Sequence, residues 1–236
     1  MEKIEKSIIE LGKGLLIVFS YFVLGNLLSI LFSVLLEKGI IPDKRIIRHI
    51  LNASIYILMA LFFYLIYHKR IKEDWKKYRK NAKKNFSISI NYWLRGLFIM
   101  ILSNAILIYV FKMGNSTNEQ ANIELIKNSL LFQIPLTAIV IPFIEEIVFR
   151  GSFYKMTDNK HLFAISTGLF FGFLHVISSL NNPLGILYLI PYSAMGIAFG
   201  YLYKKTDTIF SSLFMHMIHN TITITFIVIA IKMGMY

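Results

Sequence analysis

Seven apolar runs, at roughly 14–36, 50–67, 94–111, 129–156, 161–178, 184–203 and 208–231, follow one another, separated by more polar stretches. An α-helix needs about 20 mostly apolar residues to cross the hydrocarbon core of a bilayer. In that core every backbone amide must be satisfied internally, so runs of this length are read as helices. Composition points the same way. Only 16% of the residues are charged and 56% are hydrophobic, whereas a soluble domain carries about 25% charged residues. So few charges cannot clothe a water-facing surface, which excludes a soluble enzyme and a disordered chain. The absence of cysteine excludes a disulfide scaffold. The fold class is therefore all-α, a polytopic membrane helix bundle of about seven transmembrane helices with room for an eighth. No repeat and no Gly/Ser/Pro linker divides the chain, so residues 1–236 are read as a single transmembrane domain. The first run has no strongly basic segment before it and no small-residue cleavage site after it, and is expected to be a retained span. The weakly apolar segment 115–128 has room for an interfacial helix.

The net charge of +12 is unevenly spread. Between Lys69 and Lys84 lie nine basic residues against Glu73 and Asp74, which puts +7 in one connection between two apolar runs. A short basic connection of this kind marks the cytoplasmic side of a membrane protein, and it suits anionic headgroups better than nucleic acid. The lipid bilayer is thus the expected partner, and no nucleic acid is. Placing this connection inside puts the N-terminus in the cytoplasm and 18 of the 25 Lys and Arg residues on the inner side. Lys44, Arg45 and Arg48 run against the rule. The expected location is the cell membrane, multi-pass, with the functional layer towards the cytoplasmic side.

An ionisable side chain near the centre of a membrane helix costs about 2.5–3.5 kcal/mol on insertion scales, so each one calls for a reason. In this chain they gather in the second half: Glu145, Glu146 and Arg150 in the fourth run, His175 in the fifth, and His216, His219 and Asn220 in the seventh. Glu146 and Arg150 are four apart and form a pair that neutralises itself. Glu145 is turned about 100° away and has no local partner. It is the candidate general base, while Glu146 and Arg150 read as its support or as a structural ion cluster. Pro142 removes one helix hydrogen bond three residues before Glu145. It either opens the span beside a substrate or is an ordinary transmembrane proline.

Depth brings three spans to one layer. Counting from the turn Thr157–Lys160, Glu145 lies roughly 18 Å and His175 roughly 22 Å into the membrane at 1.5 Å per residue, and His216 lies roughly 14 Å beyond Asp207. Phe171 stands one turn before His175 and walls the same face. Gly168 and Gly172 form a small-residue face that permits close helix approach. His216 and Asn220, again four apart, offer two donors for a developing oxyanion. His219 points elsewhere and is read as structural.

Glu145-Glu146-xxx-Arg150, Phe171-xxx-His175 and His216-xxx-Asn220 together resemble the three motifs of the type II CAAX prenyl endopeptidase family, also called the CPBP or Abi family. The resemblance covers roughly residues 129–222, a catalytic core within the larger domain. It implies an intramembrane endopeptidase in which Glu145 with His175 activates a water, His216 and Asn220 hold the oxyanion, and Glu146, Arg150 and Phe171 support them. It also implies eight spans, one more than the runs counted here. No cofactor is expected. The alternative is Zn²⁺ on Glu145, His175 and His216, although no HExxH motif is present. The implied substrate is a membrane-embedded or membrane-associated peptide or protein. The Ile-, Lys- and Asn-rich composition is that of an AT-rich prokaryote, where prenylated CAAX proteins are not expected. Bacteriocin or signal-peptide maturation, or self-immunity, is the more natural setting. Two other classes compete: a non-catalytic immunity or scaffold membrane protein on the same fold, and a transporter using the buried Glu and His as a proton relay. The transporter reading lacks the matching polar residues in the first half.

Overall fold

A computed structural model describes residues 2–235, and among them all regular structure is helical. Seven stretches are long and apolar enough to cross a membrane: Lys3–Glu37, Arg45–Lys80, Ala82–Tyr109, Leu130–Gly151, Lys160–Ser179, Pro183–Thr206 and Ile209–Lys232. Each contains or coincides with most of one of the seven apolar runs, and no eighth occurs among the described residues.

The first two helices outrun the membrane. Helix α1 (Glu2–Glu37) and helix α2 (Arg45–Lys80) have 36 residues each, about 54 Å of helix against a hydrocarbon core of about 30 Å. The excess of α2 is the basic segment. Rather than looping, it stays helical to Lys80, turns at Asn81 alone and resumes as α3 (Ala82–Tyr109). Residues 69–84 contain no Gly or Pro and many good helix formers, so nothing in them stops a helix. Lys77, Arg79 and Lys80 in the last turn also suit its negative dipole end.

Segment 115–128 holds the expected short helix, α4 (Thr117–Asn128), capped by Ser116, whose Oγ accepts from the Glu119 amide at 3.1 Å. Its Ile123 and Ile126 are buried with Ala138, Ile224 and Ile227. The fourth span is broken into α5 (Leu130–Pro135), a π turn (Leu136–Val140), α6 (Ile141–Glu146) and a second π turn (Ile147–Gly151). It ends at Gly151, short of the expected Met156. Then follow α7 (Lys160–Val176), α8 (Leu189–Thr206) and α9 (Ile209–Lys232), with 3₁₀ turns at Ile177–Ser179 and Pro183–Tyr188. α7 and α8 pack through a seam of small residues. A Cβ on Gly196 would sit 2.8 Å from the Gly168 carbonyl oxygen, and one on Gly200 would sit 2.8 Å from the Ala164 Cα.

Cross-links define two ends of the bundle. At the basic end Lys3 meets Asp158 at 3.2 Å, Lys77 meets Asp207 at 2.7 Å, and the Arg70 guanidinium lies 4.4 Å over Tyr154. At the other end Arg45 donates to the Asn128 carbonyl at 2.9 Å, the Thr117 amide to Ser179 Oγ at 3.0 Å, and Tyr188 to the Gly114 carbonyl at 2.8 Å. Between them a core of Phe63, Ile144, Ile147, Val148, Phe163 and Tyr203 is nearly sealed. Leu16, Phe19, Phe98 and Phe226 project outward, as lipid-facing side chains do. Asp74, counted from sequence as one of two loop acids, is instead buried. Its carboxylate accepts the Ile209 amide at 2.9 Å, and its carbonyl accepts the Thr208 hydroxyl at 2.9 Å, so it caps the start of α9 from α2.

Candidate active site

The polar residues singled out from sequence meet in one place, on three separate spans. His175 Nε2 of α7 lies 3.9 Å from one Glu145 oxygen, and His216 Nε2 of α9 lies 3.6 Å from the other. Glu146 points the opposite way. Its Oε1 takes hydrogen bonds from Arg150 Nη1 at 2.8 Å and from His216 Nδ1 at 2.9 Å. Glu146 and Arg150 are both 0% exposed. The Arg150 Nε and Nη2 atoms find no polar partner, but the guanidinium lies 4.2 Å from the Phe171 ring centre. Phe171 thus backs a cation as well as walling the site, with its ring 4.2 Å from that of His175. Phe199, which the motif reading did not single out, stacks on His216 at 5.1 Å and 28°.

The second nitrogen of each histidine is spoken for, which decides what the first can do. His175 Nδ1 lies 2.9 Å from the Phe171 carbonyl oxygen. That oxygen can only accept, so Nδ1 carries the hydrogen and a neutral His175 presents a lone pair at Nε2. His216 Nδ1 faces the Glu146 carboxylate, so it too carries a hydrogen. Two imidazoles and a carboxylate are the donor types that bind Zn²⁺. In arrangement, however, no group of three His, Cys, Asp or Glu among the described residues is placed to hold a metal ion. The alternative set Glu145, His175 and His216 is not such a group in this arrangement.

The proline explains Asn220. In the π turn before α6 the Ile141 amide bonds to the Leu136 oxygen, a step of five. Next in that register, the Thr137 oxygen faces the nitrogen of Pro142, which has no hydrogen. Asn220 Nδ2 supplies the missing donor at 2.9 Å. A carbonyl freed by proline in hydrocarbon is re-satisfied by a neighbouring helix, and α9 is tied to the fourth span one turn beyond His216. The expected oxyanion donor is therefore also a cross-link, with one amide hydrogen left over.

A cavity of about 400 Å³ adjoins this layer. Glu145, Phe171, His175, His216, His219 and Asn220 line one part of it, so His219 belongs to the wall as well. The rest includes Gly114–Ser116, Asn118, Glu119 and Asn122 of the α4 region, with Tyr188 and Tyr192. Those residues belong to the end of the bundle remote from Lys69–Lys84. The counting from the inner turns fixed a depth, and the space in front of Glu145 runs from that layer under α4.

Residues 127–222 match the family described as type II CAAX prenyl endopeptidase Rce1-like. This stretch is a domain of that family. The chain is 31% identical over 155 residues to "Putative membrane peptidase YdiL" of Bacillus subtilis (strain 168), an alignment covering 62% of this chain and 59% of YdiL. It is 24% identical over 220 residues to the UPF0177 protein YaiF of Lactococcus lactis subsp. lactis (strain IL1403), covering 88% of this chain and 94% of that one. The UPF0177 protein YxdF of the same strain is 24% identical over 149 residues, covering 60% and 80%. No solved structure matches the chain. The family stretch holds all three motifs, whereas Ser116, Asn118 and Glu119 of the cavity lie before it.

Proposed function

We propose that this multi-pass membrane protein is an intramembrane endopeptidase that hydrolyses a membrane-associated peptide with Glu145 as general base. The observation that carries the reading is the convergence of two imidazole Nε2 atoms, from separate spans, on the Glu145 carboxylate at the wall of a cavity. A water between Glu145 and His175 finds two acceptors, and an oxygen that donates both hydrogens is a stronger nucleophile. As its oxygen bonds to the peptide carbonyl carbon, a proton passes to Glu145. The charge then developing on the carbonyl oxygen needs a donor. His216, at the cavity wall, and the spare Asn220 hydrogen are the two donors for it. When the C–N bond breaks, Glu145 returns its proton to the leaving amine.

Bacteriocin or signal-peptide maturation and self-immunity are the settings we favour. The basic end is assigned to the cytoplasm by its charge, so the cavity is approached from the outer end beneath α4. The test compares peptides from membranes and medium of cells carrying the parent chain, Glu145→Gln at matched abundance, or no protein. Loss of a general base costs about 10²–10⁴ in rate, so a fragment present with the parent should vanish with Glu145→Gln. Identical peptide profiles in all three, with Glu145→Gln still complementing a deletion, would overturn the reading in favour of a non-catalytic scaffold.

A further inference from the structure

The cavity has a second carboxylate that the proposed chemistry leaves unused. Glu119, in the first turn of α4, is partly buried on the cavity wall, and its carboxylate has no hydrogen bond or ion pair among the described residues. Its own helix does not account for it. Ser116-xx-Glu119 is the pattern of a capping box, in which the glutamate returns a bond to the serine amide. Here Ser116 Oγ caps the Glu119 amide at 3.1 Å, but the return bond is not made. Burial pushes the Glu119 carboxyl above its ordinary range, as expected for an acid lacking a cation.

No fixed cation on the wall supplies that charge, and the histidines of the lining belong to the Glu145 layer. The cavity lining contains no Lys or Arg. Around Glu119 stand Asn115, Asn118 and Asn122, neutral groups able to finish the hydration shell of an ammonium or guanidinium. The region is also coupled to the Glu145 layer. The Tyr192 hydroxyl pairs with Ser116 Oγ at 2.8 Å and accepts from Asn118 Nδ2 at 3.3 Å, while its ring lies 5.2 Å from that of His175. An extended peptide rises about 3.3 Å per residue, so one chain can place a peptide bond before Glu145 and a side chain a few residues away beside Glu119.

We propose that Glu119 is the acidic wall of a specificity subsite that takes a cationic group of the substrate peptide, a Lys or Arg side chain or a free amino terminus. That the ligand is a peptide rests on the endopeptidase reading. The charge logic of the subsite does not.

The test uses the full chain carrying Glu145→Gln in lipid nanodiscs, so that binding is read without turnover. The probes are fluorescent, N-acetylated apolar decapeptides with one Lys moved through the positions, each with a norleucine counterpart, and one norleucine peptide with a free amino terminus. One Lys register, or the free amine, should bind about tenfold more tightly than its neutral counterpart, a typical scale for a desolvated charge pair. Which of the two does so names the source of the cation. Adding Glu119→Gln should bring the ratio to about one, and Glu119→Lys should turn the preference towards Glu-containing peptides. Equal affinity for all Lys and norleucine pairs and for the free amine, or a preference that survives Glu119→Gln, would overturn the proposal. The chain with intact Glu145 separates the two readings. Cleavage without a cationic preference removes the subsite alone. A Glu119-dependent preference without any cleavage removes the endopeptidase reading and leaves a cation-binding cavity.

Discussion

Arg150→Met takes away a guanidinium that is 0% exposed and 2.8 Å from Glu146, leaving that carboxylate beside His216 and Ser212 with no Lys or Arg paired to it among the described residues. Removing one member of a buried ion pair costs about 3–5 kcal/mol, because the other charge stays behind undissolved. The lost contact over Phe171, at 4.2 Å, is worth up to about 2 kcal/mol where water is excluded. Met refills much of the volume and offers sulfur to the same ring, which offsets part of that. The expected net loss is therefore about 3–5 kcal/mol. For a domain of this size each kcal/mol moves the midpoint about 2–4 °C, so unfolding should begin roughly 6–20 °C lower. Glu146→Gln combined with Arg150→Met removes both charges and keeps an acceptor for His216 Nδ1–H, and should recover all but about 2 kcal/mol. Thermal unfolding of the detergent-solubilised chain, followed by its two tryptophans, reads both variants. A single mutant within about 1 kcal/mol of the parent, or a double mutant no more stable than the single, would refute the argument that uncompensated charge is what matters.

Three other outcomes follow from the geometry. Pro142→Ala returns an N–H to the Thr137 oxygen in competition with Asn220; stability should change little while turnover falls at least tenfold, about what a slight misplacement of site groups costs, and unchanged turnover would count against the cross-link. At the basic end, burial pushes the Asp207 carboxyl up, but hydrogen bonds from Lys77 and Tyr154 outweigh it and hold the group below its usual range. That stabilisation is complete above the unfolded value of about 3.9 and fades as pH falls through the folded one; the group is half exposed, so it amounts to less than about 1 kcal/mol. Asn tolerates the left-handed backbone at this helix end, so the gap in thermal midpoint between the parent and Asp207→Asn should be present near neutrality and close in acid. Finally, the chain has no cysteine, so single cysteines report orientation cleanly: an impermeant maleimide on intact cells should label Lys127→Cys and leave Lys76→Cys untouched, and the reverse pattern would invert the assigned topology.

The membrane class and its seven spans were legible because lipid imposes one rule on every span, and hydropathy records it. The pairing of Glu146 with Arg150 and the meeting of Glu145, His175 and His216 were legible too, since helical spacing and depth from a turn are one-dimensional quantities. What escaped was lateral or three-dimensional. Asp74 looked like one acid in a basic loop because nothing local shows that Ile209 will lie beside it. The Lys69–Lys84 connection read as a loop because charge marks a membrane side without saying whether the backbone is helical. Glu119 sat in a weakly apolar stretch, and its place on the cavity wall depends on α4 folding across the end of the bundle. The cross-link from Asn220 needed the π register before Pro142, which shifts each acceptor by one residue and cannot be counted from an ideal helix.

The Asp74 cap bears on what kind of unit the family stretch is. Residues 127–222 hold every motif side chain, yet the first amide of α9, seven residues ahead of His216, is satisfied by a carboxylate from α2. That carboxylate acts as a doorstop for the helix that carries His216 and Asn220, setting how far it slides along its axis. A graft of the stretch onto another set of membrane helices would carry the reactive groups without the stop, and their depth relative to Glu145 would drift. The leading helices are a mounting that sets the tool, and relatives that differ there can share the motifs while holding them at different heights.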